Sequence, residues 1–341
     1  MILQTSISKC FHRFLIFLLV LAPLTEISAQ AEPPTTWLLP PKDLWAFNYQ
    51  YLDLESNITP SSDVVLANGV INAYVSAIPI VRSFSIGGNI AQVFVVPTFG
   101  NLTASVNIND IPGFGDVDLD PDEFEIIDKT GMMDSQVNFR LGLYNAPALN
   151  IIELSQWERK FQLYGFLGIT LPTGEYTSGR RINLGANRWA FRVGAPMVVP
   201  LNKNKKKPAD LEIHPSLSFF TNNNDPFVGD TKKQKALFRL NTAVTKYFTS
   251  KFYTSLSAGY QYGGITEIDN LPKGQRIEQF GAGVTGGYTI ASIIRAQATL
   301  GQIFFNDKNG LMARFQVTVV LPSKADREQI RNLGQQTEKN L

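Results

Sequence analysis

Six arginines lie on the polar faces of segments in which polar and apolar residues alternate. Guanidinium groups arranged around a narrow passage lower the barrier for anions, because charge is poorly screened there. The set therefore predicts an electropositive pore, with aromatic carboxylates or phenolates as candidate solutes. The alternative is that the arginines pair with acids on the same faces and fill the interior. The candidate pore residues are Arg140, Arg188, Arg192, Arg239, Arg295 and Arg314, with Glu212 and Glu278 as the main acids.

A run of alternating carboxylates at residues 116–123 offers hard oxygen ligands of the kind that Ca²⁺ binds. Asp116, Asp118 and Asp120 would be the ligands. The run lacks the glycine that lets an EF-hand loop turn at its sixth position, where Pro121 stands instead. We therefore expect a solvated acidic loop, with these aspartates as weak metal candidates, and we expect no metal or cofactor.

His214 and Ser216 are two residues apart, so they share one face of a predicted strand. A nucleophilic serine needs a base and a partner that orients the base. Outer-membrane phospholipases resemble this pattern, because they carry His-x-Ser on a barrel strand. In this chain the pair shares the polar face of its strand with Glu212. We assign that face to the interior of a predicted barrel, whereas the lipase pair must face lipid. We therefore expect no enzyme, and a phospholipase-like esterase is the less favoured alternative.

The composition excludes several classes of protein. Of 341 residues, 44% are apolar and 18% are charged, and the formal net charge is only +2. So small a positive excess cannot neutralise many phosphates, and a nucleic-acid binder is not expected. The single cysteine, Cys10, excludes a disulfide scaffold and a cysteine zinc site.

The N-terminus is typical of an export signal. Lys9 and Arg13 precede the apolar run 14–22, which is far shorter than the about 20 residues of a membrane-spanning helix. Small residues at Ala29 and Ala31 then offer cleavage sites. Residues 1–31 are predicted to be a signal peptide, residues 32–321 a barrel, and the polar residues 322–341 a mobile periplasmic tail.

The rest of the chain alternates between apolar and polar residues with a period of two. Most of the candidate strands have ten residues or more, which suits strands that cross lipid at a tilt. The pattern predicts an all-β fold, a transmembrane antiparallel β-barrel of about 12 strands of the outer-membrane type; a secreted β-sandwich is the alternative. The strands are expected near 44–54, 70–83, 86–99, 135–144, 160–171, 188–200, 210–221, 236–248, 252–263, 278–290, 293–304 and 311–321.

The connections between these strands alternate in length. Joints near 84–85, 249–251 and 291–292 are short, whereas those after strands 1, 3, 5, 7 and 9 have about a dozen residues or more. The segment 145–159 is long on the short-turn rim, so it holds either a short helix or an unrecognised strand. Aromatic residues at strand ends are candidates for the interfacial girdles: Trp45, Tyr49, Tyr51, Trp189, Tyr247, Phe248 and Tyr288.

A motif in the centre of the chain resembles the PTGEY…NLGxNRW signature of the outer-membrane "MetA-pathway of phenol degradation" family. Further matches are LYNAPAL at 143–149, FTN at 220–222 and YGGIT at 262–266, so the resemblance covers about residues 131–321. It implies an outer-membrane channel or transporter for small, often hydrophobic or aromatic compounds. The motif residues are Pro172, Thr173, Gly174, Glu175, Tyr176, Asn183, Gly185, Asn187 and Trp189.

The same motif has a physical interpretation. Pro172 ends a strand, because it cannot donate to the ladder, and the glycines and asparagines that follow favour turns. The segment 172–188 is therefore a shaped loop, which either folds inward to constrict the pore or caps the rim. Residues 100–130 are expected to form a long acidic insertion.

These observations predict a Gram-negative-type outer-membrane barrel that takes up small aromatic or anionic solutes passively. Its partners would be outer-membrane lipid and a small solute, without nucleic acid, and the sequence leaves the oligomeric state open. The main rival is a non-conducting structural or adhesive barrel whose outer loops, above all 100–134, carry the function.

Overall fold

A computed structural model describes most of the chain after the predicted signal peptide. The described residues are 32–58, 70–107, 124–180, 182–226, 229, 231–269, 274, 276–305 and 308–328. The predicted signal peptide at 1–31, the acidic candidates Asp116, Asp118 and Asp120, and residues 329–341 of the tail lie outside the described residues.

The structure is built from antiparallel strands, one short helix between strands and a further helical segment at 324–328. The helix α1 is Ile151–Gln156. The strands are Trp45–Ser56 (β1), Val70–Ala77 (β2), Ile80–Ile86 (β3), Asn89–Val96 (β4), Thr98–Asn107 (β5), Phe124–Met132 (β6), Ser135–Tyr144 (β7), Gln162–Leu171 (β8), Ala190–Gly194 (β9), Met197–Pro200 (β10), Ala209–Phe220 (β11), Lys232–Gln234 (β12), Leu237–Tyr247 (β13), Phe252–Gly263 (β14), Thr266–Ile268 (β15), Ile277–Ala291 (β16), Ile294–Phe305 (β17) and Lys308–Leu321 (β18).

Several of these strands are halves of one longer strand interrupted by a kink. β2 and β3 both pair with β1, and Pro97 separates β4 from β5. Short breaks likewise separate β6 from β7 and β9 from β10. The last strand then pairs with the first, from Trp45 opposite Leu321 to Leu54 opposite Met312. The result is a closed barrel of twelve antiparallel strands, as predicted, with β12 and β15 as a separate small sheet.

Because the sheet closes into a barrel, alternate residues of each strand form its inner and its outer surface. On β18, Arg314 and Gln316 point inward and are buried, whereas Leu311 and Phe315 are exposed on the outside. An exposed apolar band suits lipid, and a closed sheet leaves no unpaired edge inside the membrane. The β-sandwich alternative is therefore excluded. None of the described helices is long and apolar enough to span a membrane.

Short turns lie on the rim where β1 begins and β18 ends, which is the periplasmic rim of barrels of this type. The first turn is at Gly87-Gly88, both with positive φ, and not at the predicted 84–85. Glycine tolerates that backbone conformation without a steric penalty. The long joint after β7 holds α1, which begins with a capping box between Asn150 and Glu153, so of the two alternatives the short helix is confirmed.

Two other predictions need correction. Residues 100–107 and 124–132 are not loop but continue the wall as β5 and β6, because Leu102 and Ala104 have an interior surface to pack against. Tyr247 is not a girdle residue: it lies on the inner face with its ring 4.9 Å from that of Tyr253. The other six predicted girdle aromatics are exposed on the outside.

Adjacent glycines on β16 offer a test of inward packing. A Cβ at Gly287 would overlap the ring of Tyr253, which is fully buried and bonded through its hydroxyl to Gln297, whereas a Cβ at Gly286 meets nothing within 4 Å. Gly287→Ala should lower the free energy of unfolding by about 1–3 kcal/mol. Gly286→Ala is the matched control. Urea unfolding of both variants in detergent checks this, and equal midpoints would contradict the assigned strand faces.

Candidate functional site

Residues 32–44, which precede β1, run inside the barrel. The proline pairs at 33–34 and 40–41 cannot supply ladder donors, so this segment does not join the wall. Trp37 lies at its centre and is only 4% exposed. The indole ring packs edge-on against Phe166 and His214, with ring centroids 5.4 Å and 4.4 Å away. We call residues 32–41 the N-terminal segment.

Two charged side chains of the wall hold the backbone of this segment. The carboxylate of Glu212 accepts hydrogen bonds from the backbone N–H groups of Thr35 and Trp37, at 2.7 and 2.8 Å. The guanidinium of Arg140 donates to the backbone oxygens of Thr36 and Leu38, at 3.1 and 3.4 Å. Both wall residues are nearly fully buried, so the segment supplies the partners that their charges require.

Glu32 anchors the described beginning of the segment. Its carboxylate lies 2.8 Å from Nη1 of Arg192 and 2.6 Å from Nδ1 of His214. It also accepts a hydrogen bond from Nδ2 of Asn241, at 3.1 Å. These partners come from β9, β11 and β13, so Glu32 ties the segment to three neighbouring strands.

The alternating pattern predicts a barrel over residues 32–321 and gives no indication of this segment inside it. The available signal was a run that is rich in proline and apolar residues but does not alternate, EPPTTWLLPPKD, before the first strand. Alternation reports only which residues belong to a wall, so a segment inside the lumen gives no periodic signal.

The loop 172–188 folds inward from the opposite rim. Its Ile182 and Leu184 are 2% and 3% exposed and belong to an interior cluster with Leu102 and Met133. Asp134 holds the two arms of the loop together, because its carboxylate accepts hydrogen bonds from the backbone N–H groups of Gly174 and Ala186, at 2.9 and 2.8 Å. Asp134 belongs to none of the motifs recognised in the sequence. Of the two interpretations of this loop, the geometry corresponds to inward folding.

The motif residues shape this loop mainly by backbone contacts. A Cβ at Gly174 would lie 2.6 Å from Cα of Gly185, so the two glycines permit the arms to touch. Thr173 Oγ1 accepts a hydrogen bond from the N–H of Ser135, at 2.9 Å. Asn183 Oδ1 accepts from the N–H of Thr177, also at 2.9 Å.

The remaining motif residues connect the loop to its surroundings. Glu175 Oε1 accepts a hydrogen bond from the N–H of Met132, at 3.3 Å. Tyr176 donates to the backbone oxygen of Asp225 at 2.5 Å, and Asn187 donates to Asn223 at 3.0 Å. Pro172 follows the last residue of β8, as predicted, and Trp189 is 44% exposed on the outside.

A cavity of about 900 Å³ lies between the N-terminal segment, the inward loop and the wall. All six predicted arginines line it: Arg140, Arg188, Arg192, Arg239, Arg295 and Arg314. Among the described residues, the carboxylates that line it are those of Glu32 and Asp134. The cavity is therefore rich in guanidinium groups, and part of that charge is used to hold the segment.

The two predicted acids are placed differently from the arginines. Glu212 points inward but is covered by the N-terminal segment and does not line the cavity. The prediction for Glu278 is wrong: Gln279 is the inward residue of β16, and Glu278 is exposed on the outer face. There Arg276 donates to Glu278 at 2.9 Å, and this hydrogen bond raises the pKa of the Arg276 guanidinium.

His214 and Ser216 are not hydrogen-bonded to each other. The Nδ1 atom of His214 is bound to Glu32, and neither His214 Nε2 nor Ser216 Oγ has a hydrogen-bond partner in the described part of the chain. Both residues are almost fully buried in the lumen rather than facing lipid. Within the described ranges no three His, Cys, Asp or Glu side chains lie together as metal ligands would.

The family model of the "MetA-pathway of phenol degradation" matches residues 55–311, which is most of the chain. The chain belongs to this family. The match begins within β1, so the N-terminal segment lies before it, whereas the inward loop lies inside it. None of the curated proteins matches this family member.

The barrel of this MetA-pathway family member is also similar to solved structures. The COG4313 outer membrane channel from Pseudomonas putida F1 has a TM-score of 0.65 and 17% identity, over 86% of this chain and 100% of that one. The beta domain of the Bordetella autotransporter Brka has a TM-score of 0.47 and 8% identity, over 82% and 100%. The first similarity shows the barrel fold.

Proposed function

We propose that this protein is a passive outer-membrane channel for small amphiphilic compounds that carry an anionic group or an aromatic ring. The observation that carries the proposal is the lined cavity, which presents both guanidinium groups and an apolar surface. Fold similarity to the COG4313 outer membrane channel from Pseudomonas putida F1 supports the same class.

The charged and the apolar residues of the lining suit the two parts of such a solute. The inner face of β1 presents Leu52 and Leu54 beside Val75 of β2, which gives an apolar surface. Arg239 and Arg314 line the same cavity and would attract a carboxylate or a phenolate. The volume is in the range of pockets that hold small organic molecules.

The cavity extends toward both rims. Its lining includes Ile151, Ile293 and Pro322 at the periplasmic rim, and Ser56 and Ile58 at the opposite end. The N-terminal segment and the inward loop narrow it between these ends. This narrowing favours slow, selective passage over the free diffusion of a general porin, and it is also the feature that the non-conducting rival would invoke.

Single-channel current in a planar bilayer with a salt gradient tests the proposal. Wild-type protein should conduct with a reversal potential that indicates anion preference, because fixed positive charge lowers the barrier for anions. Arg239→Gln combined with Arg314→Gln should shift the reversal potential clearly toward zero, which would indicate a loss of anion preference. Arg82→Gln is the control, since Arg82 lies on the outer face beside Asp43.

The results would separate the proposal from its rivals. Benzoate should block or carry the wild-type current and should do so less in the double variant. A correctly inserted barrel that never conducts would refute the channel and favour a structural or adhesive role. Esterase activity that is lost in Ser216→Ala would instead support the enzyme alternative, which the buried positions of His214 and Ser216 oppose.

A further inference from the structure

The loop that joins β10 to β11 concentrates positive charge at the periplasmic rim. Residues 201–208 read Leu-Asn-Lys-Asn-Lys-Lys-Lys-Pro, and all four lysines are exposed. We call Lys203, Lys205, Lys206 and Lys207 the lysine loop. It has no role in the cavity, because none of its residues lines it.

Two asparagines give the lysine loop a defined shape. Asn204 Oδ1 accepts hydrogen bonds from the N–H groups of Lys206 and Lys207, at 3.0 and 3.1 Å. Asn202 spans the loop, because its Nδ2 donates to the backbone oxygen of Lys207 at 3.2 Å and its Oδ1 accepts from Ala209 at 3.3 Å. These hydrogen bonds fix the backbone of the loop.

Nearby carboxylates do not neutralise this charge. Asp210 is buried and paired with Arg159, and Glu158 lies 3.4 Å from the amino group of Lys160. Two further lysines lie nearby, Lys246 near the end of β13 and Lys251 in the turn between β13 and β14. In the described part of the chain, the amino groups of Lys203, Lys206 and Lys207 make no hydrogen bond or ion pair, whereas Lys205 donates to the backbone oxygen of Gln156.

The lysine loop begins where the apolar outer surface ends. Leu201, the first residue after β10, is 51% exposed, and Phe161, Phe248 and Phe252 are exposed at the same ends of β8, β13 and β14. Exposed aromatic and apolar residues at strand ends mark the level at which hydrocarbon gives way to headgroups. The amino groups two to six residues further on therefore lie at the level of the lipid phosphates.

We propose that the lysine loop binds anionic phospholipid headgroups of the inner leaflet, of the phosphatidylglycerol type. Ammonium groups at the surface of an anionic leaflet are attracted to its phosphates, and the attraction adds up over neighbouring lysines. The exposed apolar residues beside the loop would contact the acyl chains of the same lipids. A negatively charged lipid is thus held at one sector of the rim, between β8 and β14.

Native mass spectrometry of the full-length mature protein, exchanged into neutral detergent with equimolar phosphatidylglycerol and phosphatidylcholine, tests this proposal. Wild-type protein should retain several-fold more phosphatidylglycerol, and salt should reduce the preference. The variant K203Q/K206Q/K207Q should lose most of it. The matched control is K232Q/K233Q/K235Q, which removes the same number of lysines at or next to β12 on the opposite rim and should retain the lipid as wild type does.

The heat-induced mobility shift of both triple variants on a denaturing gel first verifies that each barrel is folded. Equal retention of phosphatidylglycerol by the wild type and the lysine-loop variant would overturn the proposal and would make an acidic protein surface the next occupant to test. An equal loss in the control variant would also overturn it, because the preference would then follow net charge rather than this loop.

Discussion

Deletion of residues 32–39 should raise the single-channel conductance of the barrel several-fold. The segment fills the lumen around Trp37, so its removal converts a narrowed cavity into a wider aqueous passage. Arg140 and Glu212, which bind its backbone, would then be hydrated by water in the lumen. The barrel itself should survive, because every wall strand keeps its ladder partners.

The deletion is made behind an intact signal peptide and measured in planar bilayers beside the wild type. Glu32→Gln is the graded companion: it removes the charge that faces Arg192 and His214 but leaves Trp37 in place. We expect it to give brief openings of intermediate size rather than a constantly wide pore. Unchanged conductance in the deletion would mean that the restriction lies elsewhere, with the inward loop as the first suspect.

Asp134→Ala should release the inward loop and destabilise the outer half of the lumen. The carboxylate accepts backbone hydrogen bonds from both arms of the loop, and a hydrogen bond to a charged group contributes about 1.5–3 kcal/mol. Loss of both bonds should lower the free energy of unfolding by about 3 kcal/mol. Packing of Ile182 and Leu184 against the wall should weaken at the same time.

Two measurements check this expectation. Urea unfolding reports the stability, and limited trypsin digestion at the exposed Arg180 reports release of the loop. Asp128→Ala is the control, because Asp128 is exposed on β6 and bonds Asn101 on the neighbouring strand β5. If Asp134→Ala unfolds and digests like the control, the glycine contact and the apolar cluster hold the loop without the carboxylate.

Alternation alone was sufficient to predict most of the wall, but not residues 100–107 and 124–132. The period of two places Leu311 and Phe315 outside and Arg314 and Gln316 inside, and the structure agrees for nearly every strand. Strand number followed from the same pattern, because lipid requires each strand to be long, amphipathic and paired on both sides. The assignment of Glu278 to the inner face was wrong by one residue, because a shift of one position places a strand residue on the opposite face.

The contents of the lumen were decided by tertiary structure. The six arginines line the cavity, but nothing in their spacing showed that Arg140 and Arg192 would bind the chain's own N-terminal segment. Glu32 and His214 are 182 residues apart in sequence, and Asp134 meets Ala186 across 52 residues. Such contacts depend on which surfaces closure of the barrel brings face to face.

The sequence by itself determined that this chain forms an outer-membrane type barrel, because the two-residue period and the strand length follow from the backbone geometry and the thickness of the bilayer. It also located the motif loop, because proline, glycine and asparagine impose local conformations. Only the tertiary structure decided that this loop and the N-terminal segment both enter the lumen and narrow it. The physical reason is that side chains inside a barrel contact the groups that lie near them once the barrel has closed. Contacts across the lumen produce no periodic pattern in the sequence.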